Sequence, residues 1–374
     1  EGIGAASLLW CGKVAKDLSL REATALAVLP QSPTRRRPLV ARENAEHSKA
    51  MRRLWQRLAP RSDPLDEGYT LQPETKVPRE APHLARRLFQ EQPQHEIVQS
   101  TLDMPKQRVV EQTLHDHILD HRDLGIANGC ALLVHAPTRE VLAYVGSAGF
   151  LDSDIQGQVD GVMARRSPGS ALKPFIYALA MQQGLIHPRS LVRDGRLTFA
   201  DYNPENFDRE FTGPVPAAEA LYRSRNIPAV ALTQKLTSPT LYDFLKHAGV
   251  AFPKPESYYG LALPPGGAEV SMEELAELYA LLASDGEAKR LKTSSRFPVP
   301  GSSGKQALLT AETRYLTREM LRSPPGSEVM SDPELNWKTG TSHGFRDAWA
   351  AGMHGDHVLA VWLGNFNGKA NPAL

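Results

Sequence analysis

Three short polar motifs follow one another along this 374-residue chain: Ser170-Ala171-Leu172-Lys173, Ser224-Arg225-Asn226 and Lys338-Thr339-Gly340. The first pairs a hydroxyl with an amine, the second offers a hydroxyl and an amide, and the third adds another ammonium group. Serine is a poor nucleophile until a neighbouring base removes its proton. A lysine, with an unperturbed pKa of about 10.4, can be that base only where burial or a second cation favours its neutral form. Lys338 is available as that cation. The residue types therefore point to acyl transfer. Ser170 would be the nucleophile and Lys173 its base, with Ser224 passing a proton towards the leaving amine. Asn226 would hold a substrate amide and Lys338 an anionic group. The motifs start 54 and then 114 residues apart, and the ordered set carries the reading rather than any one member. A second S-x-x-K, Ser302-Ser303-Gly304-Lys305, lies among Gly301, Gly304 and nearby prolines. Those are loop signals, so it reads as a decoy.

The elements that must position these groups are legible around them. Ser167-Pro168-Gly169 is a turn signal, and Phe175 opens an apolar run reaching Met181, so Ser170 is expected to open a buried helix. Residues three apart share a helical face, which brings Lys173 within reach of Ser170. The free N–H groups of a helix start favour developing negative charge, and Pro174 is tolerable so near that start. The second motif falls between helical stretches at 216–222 and 227–236. The third begins β-structure: apolar runs at 347–353 and 358–364 flank the hairpin signal His354-Gly355-Asp356-His357. Gly340 leaves room for another backbone. A substrate laid along this strand would pair as an extra strand, with Lys338, Thr339 and Thr341 facing its carboxylate. Another hairpin, 130–134 with 140–146, turns at Ala136-Pro137-Thr138-Arg139. Five strands with helices between them predict an α+β fold, an antiparallel sheet with helices packed around it.

Composition limits the partners. A net charge of +1 argues against nucleic acid. The first 60 residues hold 11 Lys or Arg against 5 Asp or Glu; a solvated face and a site near an anionic membrane surface both remain open. With 41% hydrophobic residues the chain can bury a core, and no apolar run approaches the 18 or more residues of a membrane span. Cys11 and Cys130 make no disulfide framework and read as buried thiols. Of His115, His117 and His121, only the last two share a helix face, which favours a solvated face over a metal site; no metal and no cofactor is expected. Residues 59–95, proline-containing and without sustained periodicity, read as a linker. Length alone allows two or three domains. The chain begins at Glu1 rather than methionine and reads as a piece of a longer protein.

Taken together, the motifs and their neighbours resemble class A penicillin-binding proteins of the 1C type. The resemblance rests on Arg166 to Phe175, Gly184-Leu185-Ile186-His187-Pro188, Trp337 to Ser342 and Arg346-Asp347-Ala348-Trp349. Ala143 to Ser147 and Gly157-Gln158-Val159-Asp160 add to it. It covers most of residues 96–374 and implies a penicillin-binding transpeptidase fold with a helical subdomain. Position by position, it implies Ser170 as acyl-accepting nucleophile, Lys173 as general base, Ser224 as proton relay and Asn226 as substrate-amide contact. Lys338 would belong to the catalytic group, and the segment Thr339, Gly340, Thr341 and Ser342 would bind substrate. The N–H groups of Ser170 and Thr341 would form the oxyanion hole. Arg225 fills a free motif position, so no role carries over to it. Residues 1–58 resemble the C-terminal tail of a lipid II glycosyltransferase domain, on Gly2 to Ser7, Gly12-Lys13, Leu18 to Ala23 and Pro30 to Pro33. The family's catalytic glutamates lie upstream of that tail, so no glycosyltransferase activity is expected here. Cys11 stands where the family carries an aromatic.

The resemblance implies a peptidoglycan D,D-transpeptidase acting on D-Ala-D-Ala stem peptides through an acyl-serine. Expected partners are stem peptides, lipid II-derived glycan strands and β-lactam antibiotics. The expected place is the periplasmic face of the inner membrane, held by an anchor outside this sequence. Two alternatives use the same motifs: a serine β-lactamase, marked by fast hydrolysis of the acyl-enzyme, and a β-lactam-acylated sensor or scaffold with little turnover. Labelling with a fluorescent penicillin tests the nucleophile. Ser170→Ala is expected to abolish the label and Ser302→Ala to leave it intact; the reverse pattern in folded protein overturns the assignment.

Overall fold

The computed structural model describes residues 2–37, 44–58, 71, 80–95, 97–197, 203–295, 307–322, 332 and 334–373. Ser302 and its motif lie outside them. The chain divides into two compact units, Glu1–Arg79 and Glu80–Leu374.

The first unit contains α1 (Ile3–Cys11), α2 (Leu20–Ala27) and α3 (Ala45–Leu58). Helix α2 starts where Ser19 and Glu22 cap each other reciprocally, which satisfies two otherwise unpaired N–H groups. Lys13 pairs with Glu22 at 2.8 Å and is the main reason the Glu22 carboxyl is held down to about 2. His47, Met51 and Trp55 recur every four residues on α3 and are its buried face. Met51 packs into a small core with Ala25, Leu26, Val28 and Leu71. Cys11, expected to be buried, is half-exposed at the end of α1, because the chain turns away at Gly12.

The second unit is built on a five-stranded antiparallel sheet in the order β2-β1-β7-β6-β5. Its strands are β1 (Asn128–His135), β2 (Glu140–Val145), β5 (Asn336–Thr341), β6 (Asp347–His354) and β7 (His357–Gly364); β3 (Leu191–Asp194) and β4 (Gly213–Pro216) form a separate ribbon. The expected five-stranded sheet, both hairpins and the antiparallel pairing are present. Strand β1 is buried on both faces: Cys130, Leu132 and Val134 point into the main core, and Ala131 points into a smaller one with Leu114, Ile118, Ile126 and Val145. This is the two-residue period of a strand covered on each side.

The covering helices are α4 (Pro82–Glu91), α5 (Met104–His121), α6 (Lys173–Gln182), α7 (Ala217–Tyr222), α8 (Asn226–Lys235), α9 (Leu241–His247), α10 (Glu256–Tyr259), α11 (Met272–Ala283) and α12 (Ala311–Met320). Leu114 and Ile118 of α5 close the smaller core, and α11 lies under β1, β6 and β7. Helix α11 is buried nearly all round, as its run of apolar residues requires. Its Ser271–Glu274 cap is tied to Arg165 at 2.8 Å. His117 and His121 stack on α5 with ring centroids 4.2 Å apart.

Of the linker expected over residues 59–95, residues 59–70 and 72–79 lie outside the described residues, and residues 82–91 are helical. Pro82 supplies a preset first turn, and Leu84 and Leu88 on one face enter the main core. His83 binds the Gly157 carbonyl at 2.8 Å, and Arg87 pairs with Glu273 of α11. Leu84→Ala is therefore expected to cost about 2–5 kcal/mol, measured by urea unfolding. A silent substitution would mean that α4 packs only loosely.

Candidate active site

Ser170 does not begin an α-helix directly. It sits, half-buried, in a 3₁₀ turn at Gly169–Leu172, and α6 starts at Lys173. Side chains three apart eclipse one another in a 3₁₀ turn, so Ser170 and Lys173 remain on one face. The turn is held from several sides. Tyr279 donates to the Ala171 carbonyl at 2.9 Å, Trp349 to the Ser167 carbonyl at 2.9 Å, and the Ser167 hydroxyl to the Gly266 carbonyl at 2.8 Å.

Lys173 is fully buried. Its amine donates to the Ser224 carbonyl at 2.5 Å and to Asn226 Oδ1 at 2.6 Å, with Ser224 Oγ 3.4 Å away. All three partners are uncharged. Burial, then the positive charges of Lys338 and Arg225, push its pKa well below the usual lysine value. A neutral amine has two hydrogens, and the two short contacts use both. One lone pair is left to accept a hydroxyl proton. Among the described residues no hydrogen bond joins Lys173 to Ser170; such bonds commonly tighten only with substrate bound.

The second motif forms the opposite wall. Ser224 adopts a left-handed φ of +57° between α7 and α8, a conformation uncommon outside glycine. Its N–H donates to the Leu221 carbonyl at 3.0 Å, and its own carbonyl faces Lys173. Asn226 is engaged at both ends of its amide, since Nδ2 donates to the Glu205 carbonyl at 2.7 Å while Oδ1 meets Lys173. Arg225, which takes no role from the motif pattern, is the clamp of this wall. Its guanidinium donates to Asp194 at 2.7 Å, Asp208 at 2.6 Å and the Glu210 carbonyl at 2.5 Å. Asp194 is fully buried and also accepts from Asn206 and Thr212. Burial alone would raise its pKa, but these bonds outweigh it and hold the carboxyl below the usual range. Asn206 closes the network by accepting the Asn226 N–H at 2.8 Å. Nothing in the local sequence pairs Asp194 with Arg225; the bond is tertiary.

The third motif lies on β5, the edge of the sheet. Strand pleating turns Lys338 and Gly340 inward, both buried, while Thr339 is exposed and Thr341 half-buried. The three side chains expected on one carboxylate are thus divided between two faces. Burial lowers the Lys338 pKa to about 8, and its amine donates to the Thr339 carbonyl at 2.8 Å. Ser342 is spent on the turn: its hydroxyl accepts from the Asp347 N–H at 2.9 Å. Two glycines set the fit between β5 and the 3₁₀ turn. A Cβ on Gly340 would stand 2.1 Å from the Pro168 carbonyl oxygen, and one on Gly169, at φ +52°, would stand 2.4 Å from that of Thr341. The expected backbone neighbour of Gly340 is the turn that carries Ser170.

This cleft belongs to a recognisable class. Residues 129–353 match the penicillin binding protein transpeptidase domain, and the chain belongs to that family. It is 35% identical to penicillin-binding protein 1C of Escherichia coli (strain K12) over 98% of this chain and 48% of that protein. It is also 26% identical to penicillin-binding protein 1F of Bacillus subtilis (strain 168), over 97% of this chain and 55% of that one. The chain therefore spans about half the length of the curated relatives it matches. Penicillin-binding protein 1A of Haemophilus influenzae shares the fold with a TM-score of 0.71, covering 99% of this chain and 79% of that one at 16% identity. PonA1 of Mycobacterium tuberculosis, solved in complex with penicillin V, gives 0.63, covering 78% and 84% at 21% identity. The 1C-type resemblance read from the motifs agrees with these relatives.

Gly340→Ala is expected to separate β5 from the 3₁₀ turn and slow penicillin acylation by about a hundredfold, the scale of a misplacement near 1 Å. A near-normal acylation rate would show that the close approach is dispensable.

Proposed function

We propose that this chain is a serine D,D-transpeptidase of peptidoglycan, working through an acyl-serine on D-Ala-D-Ala stem peptides. One observation carries the reading. A fully buried lysine amine, destabilised as a cation and hydrogen-bonded only to neutral groups, shares a face with a half-buried serine.

Lys173, as the neutral amine, takes the Ser170 proton while Oγ attacks the carbonyl between the two terminal D-alanines. The N–H groups of Ser170 and Thr341 receive the negative charge of the tetrahedral intermediate. Collapse breaks the peptide bond, and the departing D-alanine amine takes back the proton by way of Lys173 and the Ser224 hydroxyl. An amine from a second stem then attacks the ester and releases Ser170. Water in its place makes the reaction a carboxypeptidation. Thr339 and Thr341 hold the substrate carboxylate from the outer face of β5, and Lys338 supplies positive charge from the inner one. Asn226 contacts the donor amide with the N–H that Glu205 leaves free.

Residues 1–58 are read as the end of a glycosyltransferase domain, a reading supported by the match to 1C along nearly the whole chain. Among the described residues no helix is long and apolar enough to cross a membrane. We place the activity at the outer face of the bacterial inner membrane through a segment outside this sequence. Lipid II-derived strands and β-lactams would be its partners. Intact mass after fluorescent penicillin, with the label mapped to Ser170, tests the acyl-serine. Release of D-alanine with and without an acceptor amine separates a transpeptidase from a sensor or a β-lactamase.

The pH dependence has a definite sign. Acylation needs Lys173 neutral and Lys338 charged, so the rate rises as pH passes the depressed pKa of Lys173 and falls near 8 as Lys338 deprotonates. Lys338→Arg is expected to move the falling limb upward, since a guanidinium keeps its proton. Stopped-flow acylation across pH decides this; an unmoved limb assigns it to another group.

A further inference from the structure

The segment that enters the Ser170 turn is gripped by the strand that follows the third motif. Asp347 and Trp349, two apart on β6, are both buried and share a face. Trp349 donates to the Ser167 carbonyl at 2.9 Å. Asp347 faces the Arg166 guanidinium, with Oδ1 3.5 Å from one terminal nitrogen and 3.0 Å from the indole nitrogen of Trp362. The other terminal nitrogen of Arg166 donates to the Phe366 carbonyl at 3.4 Å. Both guanidinium bonds are long, and aromatic rings add to them. The guanidinium carbon lies 4.6 Å from the Trp362 ring centroid and 5.4 Å from that of Phe366, two rings stacked at 8°. A planar cation is attracted to such faces. Among the described residues its buried Nε has no partner, so the stack and Asp347 set the guanidinium plane.

Asp347 has a second task. Its N–H donates to the Ser342 hydroxyl at 2.9 Å, and its carbonyl accepts from the Ser342 N–H at 2.9 Å, which closes the turn that follows Thr341. The Arg166 backbone is fixed in its turn, exchanging hydrogen bonds with Val270 at 3.0 and 2.9 Å. Between these two anchors the chains touch. A Cβ on Gly169 would stand 2.4 Å from the Thr341 carbonyl oxygen and 2.7 Å from the Thr341 nitrogen. The Arg166–Asp347 pair thus joins the segment that leads to the Ser170 N–H to the one that follows the Thr341 N–H. Lys338 and Arg225 are the cations that lower the Lys173 pKa, which leaves Arg166 a geometric part.

We propose that Arg166 is a positioning residue, holding the Ser170 turn against the end of β5 through Asp347 so that the N–H groups of Ser170 and Thr341 converge on one developing oxyanion. This rests on the acyl-transfer reading above. Fixed donors are effective because they need no reorganisation as charge develops. A turn free to drift from β5 loses that alignment, while the contacts along β5 that hold the substrate carboxylate are kept. The signature is a slower bond-making step with unchanged ground-state binding.

The test uses stopped flow with benzylpenicillin on the full chain to separate the acylation rate constant from the dissociation constant of the complex that precedes it. Arg166→Met keeps the apolar stem and removes the planar charge. It is expected to slow acylation by about tenfold to a hundredfold, leaving the dissociation constant and the position of the rising pH limb unchanged. Asp347→Asn is expected to act in the same direction, and the double variant to cost no more than Arg166→Met alone, because the two side chains act as one unit. An unchanged acylation constant, additive losses or a displaced rising limb overturns the proposal. A second measurement needs no acylation: amide hydrogen exchange, read in peptides covering residues 167–172, 339–342 and 130–134. Faster exchange in the first two alone, in Arg166→Met or, where that variant does not fold, in Asp347→Asn, supports the proposal. Equal exchange throughout, or acceleration in all three, overturns it. If the wild-type chain is not acylated, the acyl-transfer reading fails, while the exchange comparison still decides whether Arg166 holds the two segments together.

Discussion

A lysine amine buried without a carboxylate partner is the constraint on which the rest of the cleft depends. Isolated ammonium groups are so costly away from water that they give up the proton instead. Lys173 meets only a carbonyl, an amide oxygen and a hydroxyl. The nearest wall contains two carboxylates, Asp194 and Asp208, and either would favour a charged lysine. Both are engaged by Arg225. The guanidinium thus does two things at once: it fastens the loop that carries Asn206, and it keeps negative charge compensated beside the amine. A neutral residue at the middle of the second motif would leave the buried Asp194 behind the wall with one donor fewer and its charge less compensated, and Lys173 with a reason to stay protonated.

The same logic explains why backbone, rather than side chains, fills the space between β5 and the turn of Ser170. Lys338 must be close enough to disfavour charge on Lys173, but its own pKa, lowered to about 8, leaves it mostly protonated near neutral pH. Close approach of strand and turn brings the two amines into one field without contact. Gly340 and Gly169 make the approach sterically possible, and Gly266, at φ +101°, backs Gly169 with a similar fit. Each replaces what would be a side chain with a neighbour's peptide group. Peptide N–H groups at a fixed position are what a developing oxyanion requires. On the proposed reading, the packing that lowers the Lys173 pKa and the packing that would shape an anion site are one arrangement.

How much of this the sequence revealed depends on whether the cause was local. The strands were legible because two-residue alternation and hairpin turns are written in adjacent residues, as at 347–364. The direction of the Lys173 shift was legible in outline, since another lysine motif followed in order. Helix α4 was missed because prolines on its N-terminal side looked like a linker, although Pro82 and the Leu84–Leu88 spacing were a usable helix signal. The burial of Ser342 and the division of Lys338 from Thr339 and Thr341 follow from strand pleat once the strand is placed, and could have been deduced. Asp194 and Arg225 could not: they lie 31 residues apart, and only the fold brings the end of the β3 ribbon under the second motif.

This non-local clamp also gives the motif's free position a meaning that its pattern hides. Ser224 and Asn226 point to the cleft because their neighbour points away. Arg225 is directed to Asp194 and Asp208, while Ser224 and Asn226 meet Lys173. Arg225 is buried there, and a buried charge needs partners. Asp194, Asp208 and the Glu210 carbonyl supply them from a ribbon and loop that otherwise have little core of their own. The cleft wall is thus stabilised from behind, and its front stays free of charge, which is the condition a neutral lysine requires.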